Sequence, residues 1–138
     1  MPRCRAGAPL IAVVDDDESI CRAISSLVRS TGYRCAAFGS AEAFLDSGVL
    51  SGTACILLDI RMPGMGGLDL QWTLVTRGCA VPIIYVTATK DALLRERAFR
   101  QGASAFLGKP FDAEELLRAI ARVLDGSEAE DGGASAEA

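Results

Sequence analysis

Residues 54–67 read ACILLDIRMPGMGG: five apolar residues that end abruptly in Asp59, followed by a stretch broken by Pro63, Gly64, Gly66 and Gly67. A run this short and apolar throughout, Ala54–Leu58, is a strand covered on both faces rather than a surface helix. The clustered breakers make 59–67 a loop. Helical patterning resumes from Leu68 to about Thr76, with its buried row open between Leu68/Trp72/Val75 and Leu70/Leu74. A strand that hands an aspartate to a loop and then to a helix is one βα unit.

The same alternation extends to both sides. Upstream, Leu10–Val14 is a β-branched strand, and Ile20, Ala23, Ile24, Leu27 and Val28 follow helical spacing up to Gly32, where a left-handed residue is needed. Tyr33–Phe38 is a second strand, and Ser40 caps a short helix through about Ser47. Downstream, Pro82–Val86 is a fourth strand and Asp91–Gln101 a fourth helix ended by Gly102. Ala105–Leu107 is a brief fifth strand, and a last helix starts at Asp112 with Glu115 three residues on, a capping-box arrangement. Five βα units predict an α/β fold, a parallel five-stranded sheet with helices on both faces.

Composition bounds the function. The 138 residues suit one domain, and with 50% apolar residues they can fill one core. No apolar run approaches the roughly 20 residues that span a bilayer. Nor do the first ten residues lead into a signal-peptide-like stretch, so a cytoplasmic protein is expected. There is no histidine, which excludes Ser-His-Asp and Cys-His catalysis on this chain. The five cysteines are widely spaced, which argues against zinc; Cys35 and Cys55 read as small core residues. Five of the 18 acids, Asp125, Glu128, Glu130, Asp131 and Glu137, crowd the C-terminal end, leaving the body close to charge balance. No global field therefore points toward nucleic acid, and with no spanning run no membrane partner is expected. The expected organisation is a flexible 1–8, a folded 9–125, and an acidic disordered tail over 126–138.

In open parallel sheets the active crevice lies beyond the carboxyl ends of the strands. The residues that follow the strands are Asp15, Asp16 and Asp17; then Asp59; then Thr87; then Gly108, Lys109 and Pro110. All the unusual polar residues thus fall at one edge. Carboxylates held together repel, and either a retained proton or a hard divalent cation relieves them. Lys109 is a point cation suited to Asp59 or to a phosphate on it, and Thr87 offers a hydroxyl to a phosphate oxygen. An aspartate, a metal, a lysine and a hydroxyl together suit phosphoryl transfer, where catalysis is mostly positioning and neutralisation of charge.

Those residues, in the segments VVDDDE (13–18), LLDIRMPGMGGLDL (57–70), PIIYVTA (82–88) and GASAFLGKPF (102–111), resemble the receiver domains of response regulators, the CheY-like superfamily. SAEAFL (40–45) and RMPGMGGL (61–68) look most like the FixJ-like subgroup found in nitrogen-fixation regulators. The resemblance covers about residues 9–124. It implies the flavodoxin-like strand order 2-1-3-4-5, which periodicity alone does not supply.

By that resemblance Asp59 is the phosphoacceptor. Asp16 binds Mg2+ directly, with Asp15 beside it through water, and the Arg61 backbone carbonyl completes the metal's protein ligands. Lys109 contacts the phosphoryl group, Thr87 moves to it after transfer, Phe106 stands at the switch aromatic, and Pro110 follows a cis peptide. A histidine kinase or phosphotransfer protein is then the donor. The face of the fourth helix, fifth strand and fifth helix meets an unknown downstream protein, with homodimerisation through it left open. The chain reads as a single-domain phosphorelay regulator. It is not an enzyme beyond self-catalysed phosphotransfer and autodephosphorylation, and with no helix-turn-helix it makes no direct contact with nucleic acid.

Other readings are weaker. A pseudo-receiver, a constitutive interaction module, is at odds with the intact set of site residues. A metal-dependent phosphatase needs a second acid two residues after its nucleophile, where Arg61 stands. A flavodoxin-type carrier needs a phosphate-cradling loop after the first strand, where Asp15–Asp17 stand. Gly66 and Gly67 are read as turn geometry. The basic residues Lys90, Arg95, Arg97 and Arg100 are a solvated face or an output surface shielded by the acidic tail.

Overall fold

The strand β3 (Thr53–Leu58) lies at the centre of a parallel sheet because it is apolar on both of its faces. Around it, in a computed structural model that describes residues 8–125, stand β1 (Leu10–Val14), β2 (Arg34–Phe38), β4 (Ile83–Thr87) and β5 (Ala105–Gly108). The helices are α1 (Glu18–Ser30), α2 (Ala41–Ser47), α3 (Gly67–Thr76), α4 (Ala92–Arg100) and α5 (Ala113–Asp125). A 3-10 turn at Leu50–Gly52, which the sequence reading lacked, enters β3. The strand order is β2-β1-β3-β4-β5, as the resemblance implies. The expected flexible and disordered ends lie outside the described residues, apart from Ala8, whose carbonyl accepts from Arg34 Nε at 2.9 Å.

Alternate strand residues point to opposite faces, so one sheet feeds two cores. Ile11, Val13, Cys55, Leu57, Ile84, Val86 and Leu107 pack with Ile24 and Val28 of α1 and Leu116 and Ile120 of α5. Ala12, Val14, Ile56, Leu58, Ile83 and Tyr85 pack with Phe44 of α2, Leu70 and Leu74 of α3 and Ala98 of α4. Each fully buried aliphatic side chain contributes about 1.5–3 kcal/mol through removal from water. Cys35 and Cys55 are both buried in the first core.

Local signals set the helix ends. Asp17 caps α1 by accepting from the Ser19 and Ile20 N–H groups, and Gly32 takes the expected left-handed conformation with φ 98°. Ser40 caps α2 by accepting from Ala43 N–H. The cap of α5 differs from expectation: Asp112 accepts from Glu114 N–H at 2.9 Å, a single bond rather than a reciprocal box. On α3 the buried row is Leu68, Leu70 and Leu74 with Gln71, while Trp72 and Val75 are 54% and 44% exposed. Gly66 and Gly67 both lack a positive φ. Gly67 is required instead by close approach, because a Cβ there would overlap the Asp59 carbonyl. That contact sets where α3 starts and how it faces the sheet.

Candidate functional site

The sheet ladder runs one residue past β1, β3 and β5 and fixes the polar groups at its edge. Asp15 N–H donates to the Phe38 carbonyl, Asp59 N–H to Val14 and Lys109 N–H to Thr87, all at 3.0–3.1 Å. The residues that the sequence places after strands one, three and five therefore inherit the rigidity of the sheet. A cis peptide joins Lys109 to Pro110, as expected from the resemblance.

Asp15 and Asp59 are buried, 3% and 7% exposed, whereas Asp16 is open to solvent. One carboxylate oxygen from each of the three lies within 4.8 Å of the others. Lys109 Nζ bridges the two buried acids, at 2.8 Å from Asp15 Oδ2 and 3.3 Å from Asp59 Oδ2. The sequence pairs Lys109 with Asp59; in the structure its shorter bond goes to Asp15. The other Asp15 oxygen accepts from Asp17 N–H at 2.9 Å.

Electrostatically the site is short of positive charge. Burial pushes the Asp15 carboxyl above its ordinary value, outweighing its bonds from Lys109 and Asp17, and the Asp59 charge pushes the same way. On Lys109, burial acts to lower the pKa. The hydrogen bond to Asp15 and the neighbouring carboxylate charges outweigh it and hold the ammonium above its usual value. One ammonium serves two buried carboxylates while a third stands open. This donor set of clustered hard oxygens fits a small divalent cation.

Thr87, 1% exposed, ends β4 opposite Gly108 of β5, and its hydroxyl accepts from Thr89 N–H at 3.4 Å. Together with Phe106, Arg95 and Lys109 it lines a cleft of about 340 Å³. Phe106 is half-buried, its ring 5.8 Å from that of Tyr85. Arg61 lies exposed in the loop two residues after Asp59.

Asp15, Asp16, Asp59 and Lys109 are thus brought together, and Thr87 and Phe106 stand on the adjoining cleft. Sequence reasoning missed a larger cleft of about 920 Å³ along α1, lined by Asp15, Asp16, Cys21, Arg22, Ser25 and Phe38. It also missed the buried polar cluster around Tyr85 and Gln71. A single phenol in the otherwise apolar run Ile83–Val86 was the available signal for that cluster.

With this geometry in view, the comparisons with known proteins agree with one another. The response regulator receiver domain family matches residues 11–121. Response regulator protein TmoT of Ectopseudomonas mendocina is 44% identical over 115 residues, covering 83% of this chain and 52% of that protein. Transcriptional regulatory protein FixJ of Azorhizobium caulinodans is 38% identical over 122 residues, covering 88% of this chain and 57% of that protein. A solved structure of a response regulator receiver protein from Burkholderia phymatum superposes with a TM-score of 0.74 at 43% identity, covering 85% of this chain and 95% of that one. The chain spans about half the length of the two curated relatives.

Proposed function

The chain belongs to the response regulator receiver domain family, and on that premise we propose that it is a phosphorylation switch whose acceptor is Asp59. The observation that carries this reading is the Lys109 ammonium held between Asp59 and Asp15, with Asp16 open beside them. Buried at the mouth of a rigid sheet, Asp59 is an oxygen nucleophile with a fixed direction of approach.

The donor is a phosphohistidine on a histidine kinase or phosphotransfer protein. An Asp59 carboxylate oxygen attacks phosphorus as the P–N bond to the donor imidazole breaks. The imidazole leaves with the bonding pair and takes a proton from solvent, and an aspartyl phosphate remains. Lys109 neutralises charge on the transferred group, and its anchorage on Asp15 keeps it in place while Asp59 reacts. Asp15, Asp16, Asp59 and the Arg61 backbone carbonyl are the groups to hold Mg2+, which when bound neutralises phosphoryl oxygens. The chain itself supplies position and charge and turns over no external substrate, so it is a switch rather than an enzyme.

After transfer the Thr87 hydroxyl reaches the new phosphoryl oxygen, and Phe106 responds through the cleft they share. A downstream protein reads the change at the face of α4, β5 and α5, in the cytoplasm. Among the described residues no helix is long and apolar enough to cross a membrane.

Nuclear magnetic resonance with magnesium and beryllium fluoride, a phosphoryl mimic, tests the assignment. Amides of Thr87, Gly108 and Lys109 are expected to shift in the wild type and stay fixed in Asp59→Ala. Shifts that persist in the variant, or never occur, overturn it.

A further inference from the structure

The loop between β3 and α3, which carries the Arg61 carbonyl, is tied down at three places. Its neck is closed by the bond from Gly67 N–H to the Ile60 carbonyl at 2.9 Å. Met62 and Met65, both half-buried, pack against the second core. The third tie comes from another element. Glu42, an exposed residue in the first turn of α2, accepts from Met65 N–H through Oε2 at 3.1 Å.

That bond stands where a turn would otherwise close on itself. The tetrad Met62-Pro63-Gly64-Met65 has proline and then glycine at its centre, and Gly64 takes a φ of 75°. This is the pattern of a turn whose last N–H bonds the first carbonyl. No backbone bond runs from Met65 N–H to the Met62 carbonyl, and the Glu42 carboxylate takes the donor instead. Room for it depends on Gly64, because a Cβ there would stand 3.0 Å from Glu42 Oε2. A second side chain, Asp69 of α3, reaches the neighbouring Gly66 N–H at the longer distance of 3.4 Å.

Glu42 is not among the acids clustered at the site, so whatever it contributes there passes through the loop. Arg61 is exposed and lies between the closed neck and the first anchored methionine. A ligand held in place beforehand spares the cation the cost of ordering it.

We propose that Glu42 is a positioning residue for magnesium binding. By taking the Met65 N–H it fixes the loop that carries the Arg61 carbonyl, so that this ligand is set before the cation arrives. The proposal rests on the reading above that the Arg61 carbonyl is a ligand. It ties the second βα unit, which gives no residue to the site itself, to the strength with which the site takes its metal.

Magnesium titration of the full chain, followed by amide chemical shifts and amide hydrogen exchange with no phosphoryl donor present, tests the role. Glu42→Ala is expected to weaken magnesium binding roughly two- to tenfold, and to speed exchange at Met65 in the metal-free chain by a similar factor. Glu42→Gln keeps an acceptor oxygen without the charge, and is expected to stay within about twofold of the wild type in both. Asp46→Asn, which removes an exposed acid from the same helix, is the control for charge and should change neither. Coupling of this kind is reciprocal, so saturating magnesium is expected to slow exchange at Met65 in the wild type.

Faster exchange at Met65 with unchanged magnesium affinity in Glu42→Ala makes Glu42 a structural tie only and overturns the proposal. Equal losses of affinity in Glu42→Gln and Glu42→Ala trace the effect to charge rather than position and overturn it as well. A wild type whose amides do not respond to magnesium at all overturns the reading of the metal site itself, and the positioning role falls with it.

Discussion

The Lys109 ammonium lies closer to Asp15, at 2.8 Å, than to Asp59, at 3.3 Å. The acid proposed to react therefore holds the weaker share of the one cation in the site. That division leaves Asp59 free to attack without dragging Lys109 away, because Asp15 retains it. It also leaves the resting site with surplus negative charge.

Removal of one buried carboxylate relieves that surplus. Asp59→Asn is expected to raise stability by roughly 0.5–2 kcal/mol, since Lys109 keeps its shorter bond to Asp15. Magnesium is expected to raise the melting temperature of the wild type by binding the folded state, and to do so much less in Asp59→Asn or Asp16→Asn. Thermal melts across a magnesium titration check both. A variant less stable than the wild type in the absence of metal would count against the surplus.

Gly67 joins the site to α3 by contact, since a side chain there would strike the Asp59 carbonyl. Gly67→Ala is expected to destabilise by about 1–3 kcal/mol and to slow phosphorylation, because the collision displaces the acceptor's own backbone. Gly52→Ala, where an added Cβ meets nothing, serves as the control and should leave both nearly unchanged. Denaturant unfolding with a phosphorylation time course measures the pair.

The buried row of α3 predicts an inverted hydrophobic series. Leu74→Ala is expected to cost about 2–5 kcal/mol, whereas Trp72→Ala, the larger truncation, is expected to stay within about 0.5 kcal/mol. Urea unfolding of the two variants decides it. A costly Trp72→Ala would restore the alternative row.

That row also marks where the sequence stopped being legible. Strand positions, strand-end acids, Thr87 and Lys109 follow from short apolar runs and the rule that parallel sheets present their strand ends to a crevice. The order of the strands and the cis bond came only by resemblance, because neither leaves a periodic trace. The α3 face was ambiguous since Leu and Trp compete on equal terms in a one-dimensional pattern. Gln71 carries no apolar signal in a one-dimensional pattern, yet it lies inside, where its Oε1 accepts from the Tyr85 phenol on the facing strand. The preference of Lys109 for Asp15 depends on distances between three loops, to which spacing along the chain is blind.

Alkaline pH supplies a test of the core. Burial pushes the Cys55 thiol from 9.0 up to about 12. The folded chain thus keeps a proton that the unfolded chain releases above about pH 9, so rising pH favours unfolding in that window. The expected loss approaches about 1.4 kcal/mol per pH unit from this group, up to its folded pKa. Cys55→Ala should flatten that slope relative to the wild type in urea melts between pH 9 and 11. Equal slopes would show that the thiol ionises without cost.

The most direct test of the central claim is the intact mass of the protein after incubation with acetyl phosphate. Wild type and Asp59→Ala are compared with and without magnesium. The account predicts the gain of a single phosphoryl group by the wild type, dependent on magnesium and absent from the variant. An unmodified wild type, or a variant that is phosphorylated just as well, would contradict the assignment of Asp59 as the acceptor.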